Sequence, residues 1–254
     1  MRCRRQGWVF SSLGNTLFVR GCLALLLVVG AAQALGDSTV VYDPFDVPQG
    51  AYQATHVDDV DNVSIIEFSG NYDKLLPSGE VNAAARAVVA REFYRTHADD
   101  YDFLVVFTDF EFETGDATAF YNPVRNDTQG IGLPQFDLSS IYGSDGKLQG
   151  YVDMAAFSRY EWDSLKPSYD RGLLVLAHEF FHRWGVFVRF IDEQGELNNS
   201  LLGHQDAHWS FKVHTSASVQ YGHDWHDHGD GSFKAHSANR FFSSMDLYLM
   251  GLYE

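Results

Sequence analysis

Cysteine is almost absent from this 254-residue chain, which has only Cys3 and Cys22. The sequence after Cys22 therefore offers no thiol for a disulfide framework, for a cysteine-ligated zinc or for a cysteine nucleophile, and these classes of site are excluded there. A fold built from that part of the chain depends on its apolar core, assisted by any bound ions.

Basic residues are also scarce, with 18 Lys and Arg against 34 Asp and Glu. Four of the basic residues lie before residue 35 and no acidic residue does, so residues 35–254 carry 14 basic and 34 acidic side chains, a formal charge of −20. A charge of this sign disfavours nucleic acid and anionic membrane surfaces as partners. It is compatible with solubility outside the cell and with calcium binding.

Long hydrophobic runs are missing except for Cys22–Gly30, which is too short for a comfortable membrane span. Arginines precede this run, and Ala32-Gln33-Ala34 follows it with the small-x-small pattern of a cleavage site. We therefore predict that residues 1–34 are a signal peptide. The mature chain would start at Leu35, be secreted, and have no stable membrane insertion after cleavage; a retained N-terminal anchor is the alternative.

The most informative motif is His178-Glu179-Phe180-Phe181-His182, an HExxH pattern within an apolar segment. Pro167, Ser168 and Asp170 supply helix-start signals before it. On a helix, two histidines four residues apart share a face, so both imidazoles can reach one ion.

Imidazole nitrogens suit zinc, which lowers the pKa of a bound water to near neutrality. The carboxylate of Glu179, beside that water, can take its proton and pass it to a leaving amine. The motif therefore predicts metal-assisted peptide hydrolysis, with Glu179 catalytic and His178 and His182 as metal ligands. The alternative is a core helix whose histidines bind no metal and only form hydrogen bonds with their neighbours.

A catalytic zinc usually has three protein ligands, and nine of the eleven histidines lie between His178 and His236. In the short HExxHxxGxxH pattern the third ligand would fall at Val188, which cannot bind a metal. His204, Asp246 and a histidine of the later cluster remain as candidates for that ligand.

The segment His178–Gly185 and the later pair His208-Trp209 resemble leishmanolysin-type metallopeptidases. In that family, which is metzincin-like, an insertion separates the motif glycine from a third histidine in a His-Trp pair; here 22 residues separate Gly185 from His208. The resemblance implies that His208 is the third zinc ligand. Metzincins also place a methionine turn after this histidine, but residues 216–222 contain no methionine, which leaves Met245 or a turn without methionine.

A histidine- and aspartate-rich tract spans residues 222–236, with Asp224, Asp227 and Asp230 recurring every third residue. Three interpretations stay open for it. The aspartates could bind a second cation, most naturally calcium; a histidine could stabilise an oxyanion at the cleft edge; or the tract could be a solvated loop.

Local patterns predict the elements around the motif. Pro77-Ser78-Gly79 precedes a predicted helix to about His97, with Val81, Ala84, Ala85 and Val88 as its buried stripe. The apolar run within 102–109 predicts a central strand. Ser144-Asp145-Gly146 predicts a hairpin between strands 138–142 and 148–154. Two interpretations stay open for it: a strand that borders the cleft and pairs with an extended substrate, or an ordinary hairpin.

We expect an α+β, zincin-like, two-lobed metallopeptidase with a twisted N-terminal sheet, an active-site helix and an irregular C-terminal lobe. Residues 35–254 would form this catalytic domain, and the apolar, helix-like run near residue 250 suggests that the protein continues past Glu254. The expected activity is a secreted zinc endopeptidase acting on a protein or peptide substrate. The alternatives are a non-catalytic extracellular zinc-binding module and a zinc hydrolase of non-peptide amides or esters.

Overall fold

The computed structural model describes residues 10–12, 15–17, 23–30, 51–166, 168–216, 218–236 and 241–253. Its strands are, in chain order, β1 Phe10–Ser12, β2 Asn15–Leu17, β3 Leu23–Gly30, β4 Gln53–Val60, β5 Val63–Ser69, β6 Phe103–Thr108, β7 Phe120–Pro123, β8 Arg125–Asn126, β9 Phe136–Asp137, β10 Gly150–Ala156, β11 Phe190–Ile191, β12 Leu197–Asn198, β13 Trp209–His214, β14 Tyr221–Asp227 and β15 Phe233–His236. Its α-helices are α1 Ala83–Thr96, α2 Tyr169–Phe181 and α3 Ser244–Leu249.

A six-stranded sheet in the order β4-β5-β3-β6-β10-β7 organises the molecule. The four inner strands are parallel, and β4 and β7 pair antiparallel at the edges. Every residue of β6 is buried, which confirms the predicted central strand. Because side chains alternate along a strand, Leu104 and Val106 pack in the cluster that contains α1, whereas Val105 and Phe107 pack in the cluster that α2 covers.

Helix α1 begins later than the sequence predicts. Pro77-Ser78-Gly79 forms a turn, and the helix starts at Ala83 because Asn82 caps it, accepting a hydrogen bond from the backbone N–H of Ala85. Val81 is 52% exposed and Val88 is only partly buried, so the predicted buried stripe is wrong at its first position and incomplete at its last, while Ala84 and Ala85 are buried.

The predicted hairpin around Ser144-Asp145-Gly146 is wrong. Ser139–Tyr142 forms a 3-10 helix, and β10 pairs with β6 and β7 instead. The turn itself exists, since the Ser144 hydroxyl accepts hydrogen bonds from three following backbone N–H groups. Local turn chemistry located the bend but could not reveal that the next strand pairs with non-local partners.

A buried ion pair fastens α1 to the sheet. The guanidinium of Arg86 and the carboxylate of Asp153 on β10 lie 3.0 Å apart, and both side chains are fully buried. Arg86 also donates to the backbone carbonyls of Tyr72 and Asp73, and its guanidinium lies over the Tyr72 ring. These bonds satisfy a charge that would be costly to bury alone.

The C-terminal part is less regular, with the β11–β12 pair, the three-stranded sheet β13-β14-β15 and the short helix α3. Its core contains Phe181, Val186, Leu202, Trp209 and Val219, so the end of α2 packs into it. The α+β class is therefore observed. Among the described residues, no helix is long and apolar enough to cross a membrane.

Strand β3 lies inside the segment that the sequence predicts to be removed. It pairs in parallel with both β5 and β6, and the Leu26 side chain is fully buried. Cleavage after Ala34 would remove this central strand from the sheet. The observed pairing of β3 therefore applies to the uncleaved chain, whereas the predicted mature chain, starting at Leu35, lacks the strand.

We expect a chain that starts at Leu35 to show faster amide hydrogen exchange in β5 and β6 than residues 1–254, because both strands lose a shared hydrogen-bonding partner. Hydrogen-exchange mass spectrometry of the two chains measures this. The internal reference is β7, whose one partner among the described strands is β10. Equal protection of β5 and β6 in both chains would mean that another segment occupies the gap.

Candidate metal centre

Helix α2 brings the HExxH residues into the interior. Its start at Tyr169, after Ser168, agrees with the start signals, and it ends at Phe181 with His182 as the C-cap. Val175 and Leu176 pack towards the six-stranded sheet, whereas Ala177 and Phe181 pack in the C-terminal core. The helix is therefore held between the two parts of the molecule, with the motif at its C-terminal end.

The residues just after the motif fix this end of the helix. The buried guanidinium of Arg183 donates to Asn126, Asp127 and Gln149. A Cβ at Gly185 would lie 2.6 Å from the Phe181 ring, so glycine allows the chain to turn closely over that ring. These contacts give Arg183 and Gly185, which follow the motif, a structural role at the end of α2.

The structure brings His178, His182 and His208 together. Their ring centroids are 4.9–5.1 Å apart, and one nitrogen from each ring falls within 4.8 Å of the others. The residue after His208, Trp209, helps to position His208 beside α2. Trp209 is 1% exposed, and its indole N–H donates to the Asp246 carboxylate at 2.8 Å.

Hydrogen bonds with the backbone set the orientation of the rings. His178 Nδ1 bonds the carbonyl of Val219 at 2.6 Å, and His208 Nδ1 bonds the carbonyl of His204 at 2.7 Å. A carbonyl only accepts, so both Nδ1 atoms carry the proton and both Nε2 atoms are left with a lone pair. Metal-bound histidines commonly make such a bond through their second nitrogen.

The two Nε2 atoms, of His178 and His208, face each other at 3.2 Å. Two lone pairs at this distance repel each other unless a proton or a cation lies between them. Two nitrogens on one tetrahedral zinc at 2.0–2.1 Å are about 3.3 Å apart. The donor set and its spacing therefore fit zinc.

Burial keeps the three imidazoles neutral, as metal binding requires. It lowers the pKa of His178, lowers the pKa of His208 to about 4, and lowers the pKa of His182 well below its ordinary value. The neighbouring imidazoles of His178 and His208 add to the effect at His182.

Glu179 is 7% exposed and lies against the edge strand β7. Burial raises the pKa of its carboxyl to about 8, while the Lys74 ammonium and the backbone N–H of Tyr121 act in the opposite direction. Asp153 adds negative charge that raises the pKa of Glu179 further. A carboxyl in such a setting can both hold and release a proton near neutral pH.

The other candidate ligands are not part of this group, although the ring centroid of His204 lies 5.6 Å from that of His208. Asp246 is fully buried, accepts from the Trp209 indole and the Ser243 backbone, and belongs to the cap of α3. His204 supplies its backbone carbonyl rather than its ring to the cluster. Met245 is 38% exposed, and the methionine that packs against the C-terminal core is Met250.

The histidine- and aspartate-rich tract forms the exposed β14–β15 hairpin. The side chains of Asp227 and Asp230 accept hydrogen bonds from backbone N–H groups of its turn. In the part of the chain that the structure describes, the groups with metal-ligand geometry are His178, His182 and His208, and a second group described below. The hairpin belongs to neither.

Sequence reasoning missed Tyr221, whose ring stacks on His208 with centroids 4.8 Å apart and also faces His178. Its backbone has φ +71°, a left-handed conformation that is unfavourable for a residue with a side chain. Next to it, the Gln220 amide donates to the His178 carbonyl. No local pattern signals either role, because both depend on how β14 meets α2.

Comparison of the chain with protein-family models, curated proteins and solved structures gave no significant match.

We expect the metal-free chain to lose stability as the pH falls from about 6.5, the ordinary pKa of histidine, towards the pKa of about 4 at His208. In this window the unfolded chain binds a proton at His208 that the folded chain does not. Compared with wild type, His208→Gln should flatten this pH dependence by up to about 1.4 kcal/mol per pH unit.

Denaturant unfolding with a chelator between pH 4.5 and 7 measures this difference. The raised pKa of Glu179 gives the opposite dependence, because its contribution to stability falls as the pH rises. Wild type and His208→Gln share this contribution, so it cancels when their stabilities are compared. His236→Gln, on an exposed strand, controls for the loss of a surface histidine. Identical pH dependence in wild type and His208→Gln would rule out a neutral, buried His208.

Proposed function

We propose that the protein is a secreted zinc-dependent endopeptidase in which His178, His182 and His208 hold the ion and Glu179 is the general base. The observation that carries this proposal is the pair of Nε2 atoms of His178 and His208 that face each other at 3.2 Å, with the buried Glu179 directly after His178 on α2. Zinc, when bound, supplies a water of lowered pKa and polarises a carbonyl.

The chain itself contributes proton transfer. Glu179 accepts a proton from the attacking water and delivers it to the nitrogen of the departing amine. Its raised pKa favours the first step, since a carboxylate whose pKa is about 8 in the metal-free chain is a stronger base towards water than an ordinary glutamate. A bound cation would lower that pKa, which keeps Glu179 ionised before it accepts the proton and makes the protonated carboxyl a better donor to the amine.

The position of Glu179 argues for a catalytic rather than a structural site. A closed structural zinc site needs a fourth protein ligand, and the described residues supply three. Burying a carboxyl beside such a site, to an exposure of 7%, costs desolvation free energy. A purely structural role for Glu179 provides no interaction that offsets this cost.

The edge strand β7 favours a peptide as the substrate. It pairs with β10 on one side, and no other described strand pairs with its outer side. Tyr121 on this strand hydrogen-bonds to Glu179 through its backbone, so β7 lies beside the general base. An unpaired strand edge there can align an extended peptide by backbone hydrogen bonds.

Substituting Glu179 with glutamine should leave the zinc content unchanged and lower peptide hydrolysis by about 10²- to 10⁴-fold, because the amide cannot accept the proton from water. Turnover of a fluorogenic peptide library and of unfolded casein, alongside metal analysis, tests this. Glu193→Gln, an exposed residue, is the matched control. Undiminished hydrolysis by a zinc-loaded Glu179→Gln chain would refute the assigned role.

Substituting His208 with alanine should remove one equivalent of zinc per chain relative to wild type, because two histidines bind zinc much more weakly than three. Two substitutions test the rival ligands. His204→Gln keeps the carbonyl that bonds His208, and Asp246→Asn keeps an acceptor for Trp209, so both should retain the full zinc content. Metal analysis after dialysis measures this; a full complement of zinc in His208→Ala would place the third ligand elsewhere.

A further inference from the structure

A second cluster of metal-binding side chains lies on the other face of the sheet. His56 and Asp59 come from β4, and His97 is the C-cap of α1. One ligand atom from each falls within 4.8 Å of the others. Helix α1 packs on the face opposite α2, so the six-stranded sheet separates this cluster from the HExxH histidines.

An irregularity in β4 creates the cluster. His56 pairs with Ile66 and Asp59 pairs with Ser64, with a register shift between His56 and Asp58. In a regular strand, residues three apart point to opposite faces, but the extra residue of a bulge restores them to the same face. Both side chains therefore meet α1.

The ligand atoms converge on one point. Asp59 Oδ1 lies 3.0 Å from His56 Nε2 and 3.3 Å from His97 Nε2. The Ser64 hydroxyl, on β5, donates to the same carboxylate oxygen at 2.7 Å and lies 3.3 Å from His97 Nε2. Two imidazole nitrogens, a carboxylate oxygen and a nearby hydroxyl make a donor set that suits a transition metal.

His97 is held in place before any ion binds. Its ring stacks on Phe93 with centroids 4.1 Å apart and an interplanar angle of 7°. Its Nδ1 bonds the Phe93 carbonyl at 3.0 Å, so Nε2 is the nitrogen left to coordinate. The C-terminal end of a helix also favours a positive charge. His56 and His97 side chains are only 17% and 19% exposed, so little ordering is needed on binding.

We propose that His56, Asp59 and His97 form a second site for a divalent transition-metal ion, zinc being the simplest, which ties β4 to the end of α1. The site is independent of the HExxH cluster and does not depend on the proposed peptidase activity. It differs from a calcium site because two of its three ligands are imidazoles.

The test is zinc binding to the full chain in which His182→Ala and His208→Ala remove the first site. We expect this chain to bind one zinc, and Asp59→Asn or His56→Gln in the same background to weaken that affinity by at least about tenfold, the loss typical when even a supporting residue is removed. Equilibrium dialysis with metal analysis provides the measurement, and exposed His236→Gln is the matched control.

No zinc bound by the background chain, or equal affinity with and without Asp59→Asn, would overturn the proposal. If the background chain fails to fold, the wild-type chain serves instead. It should then bind one more zinc than Asp59→Asn, and zinc should raise the melting temperature of wild type more than that of His56→Gln. Equal stoichiometry and equal shifts would again overturn the second site.

Discussion

Two imidazole nitrogens that face each other at 3.2 Å set the constraint on which the rest of the structure depends. Backbone carbonyls at Val219 and His204 hold both rings with their lone pairs directed inward. Such an arrangement is unfavourable without a positive charge between the rings. The packing of Trp209 and the turn at Gly185 hold His208 and α2 close enough to maintain it.

The six-stranded sheet affects the candidate metal centre by burying one side of α2 and the side chain of Glu179. Strands β10 and β7 cover one side of α2, and Glu179 is held there away from water. On the opposite face, α1 is tied to β10 by the Arg86–Asp153 ion pair. Since Asp153 also raises the pKa of Glu179, the charge that anchors the fold contributes to the electrostatics of the candidate centre.

The sequence predicted the features that depend on a short stretch of consecutive residues. The helical spacing of His178 and His182 and the apolar run of β6 are of this kind, and both agree with the structure. The hairpin failed because the partners of β10 lie far along the chain. His208 was found only through a family resemblance, and Tyr221 and the His56 cluster were missed, because the strand pairing and the bulge in β4 that position them leave no local signal.

The hydrogen bond between Trp209 and Asp246 has a consequence for synthesis. His178 and His182 leave the ribosome early, but the residue that anchors the neighbour of His208 follows more than sixty positions later. A nascent chain therefore lacks the hydrogen bond that holds Trp209, the neighbour of His208, until α3 has emerged. The contacts that support the three-histidine cluster are therefore complete only after α3 has been made, although all three histidines precede that helix in the chain.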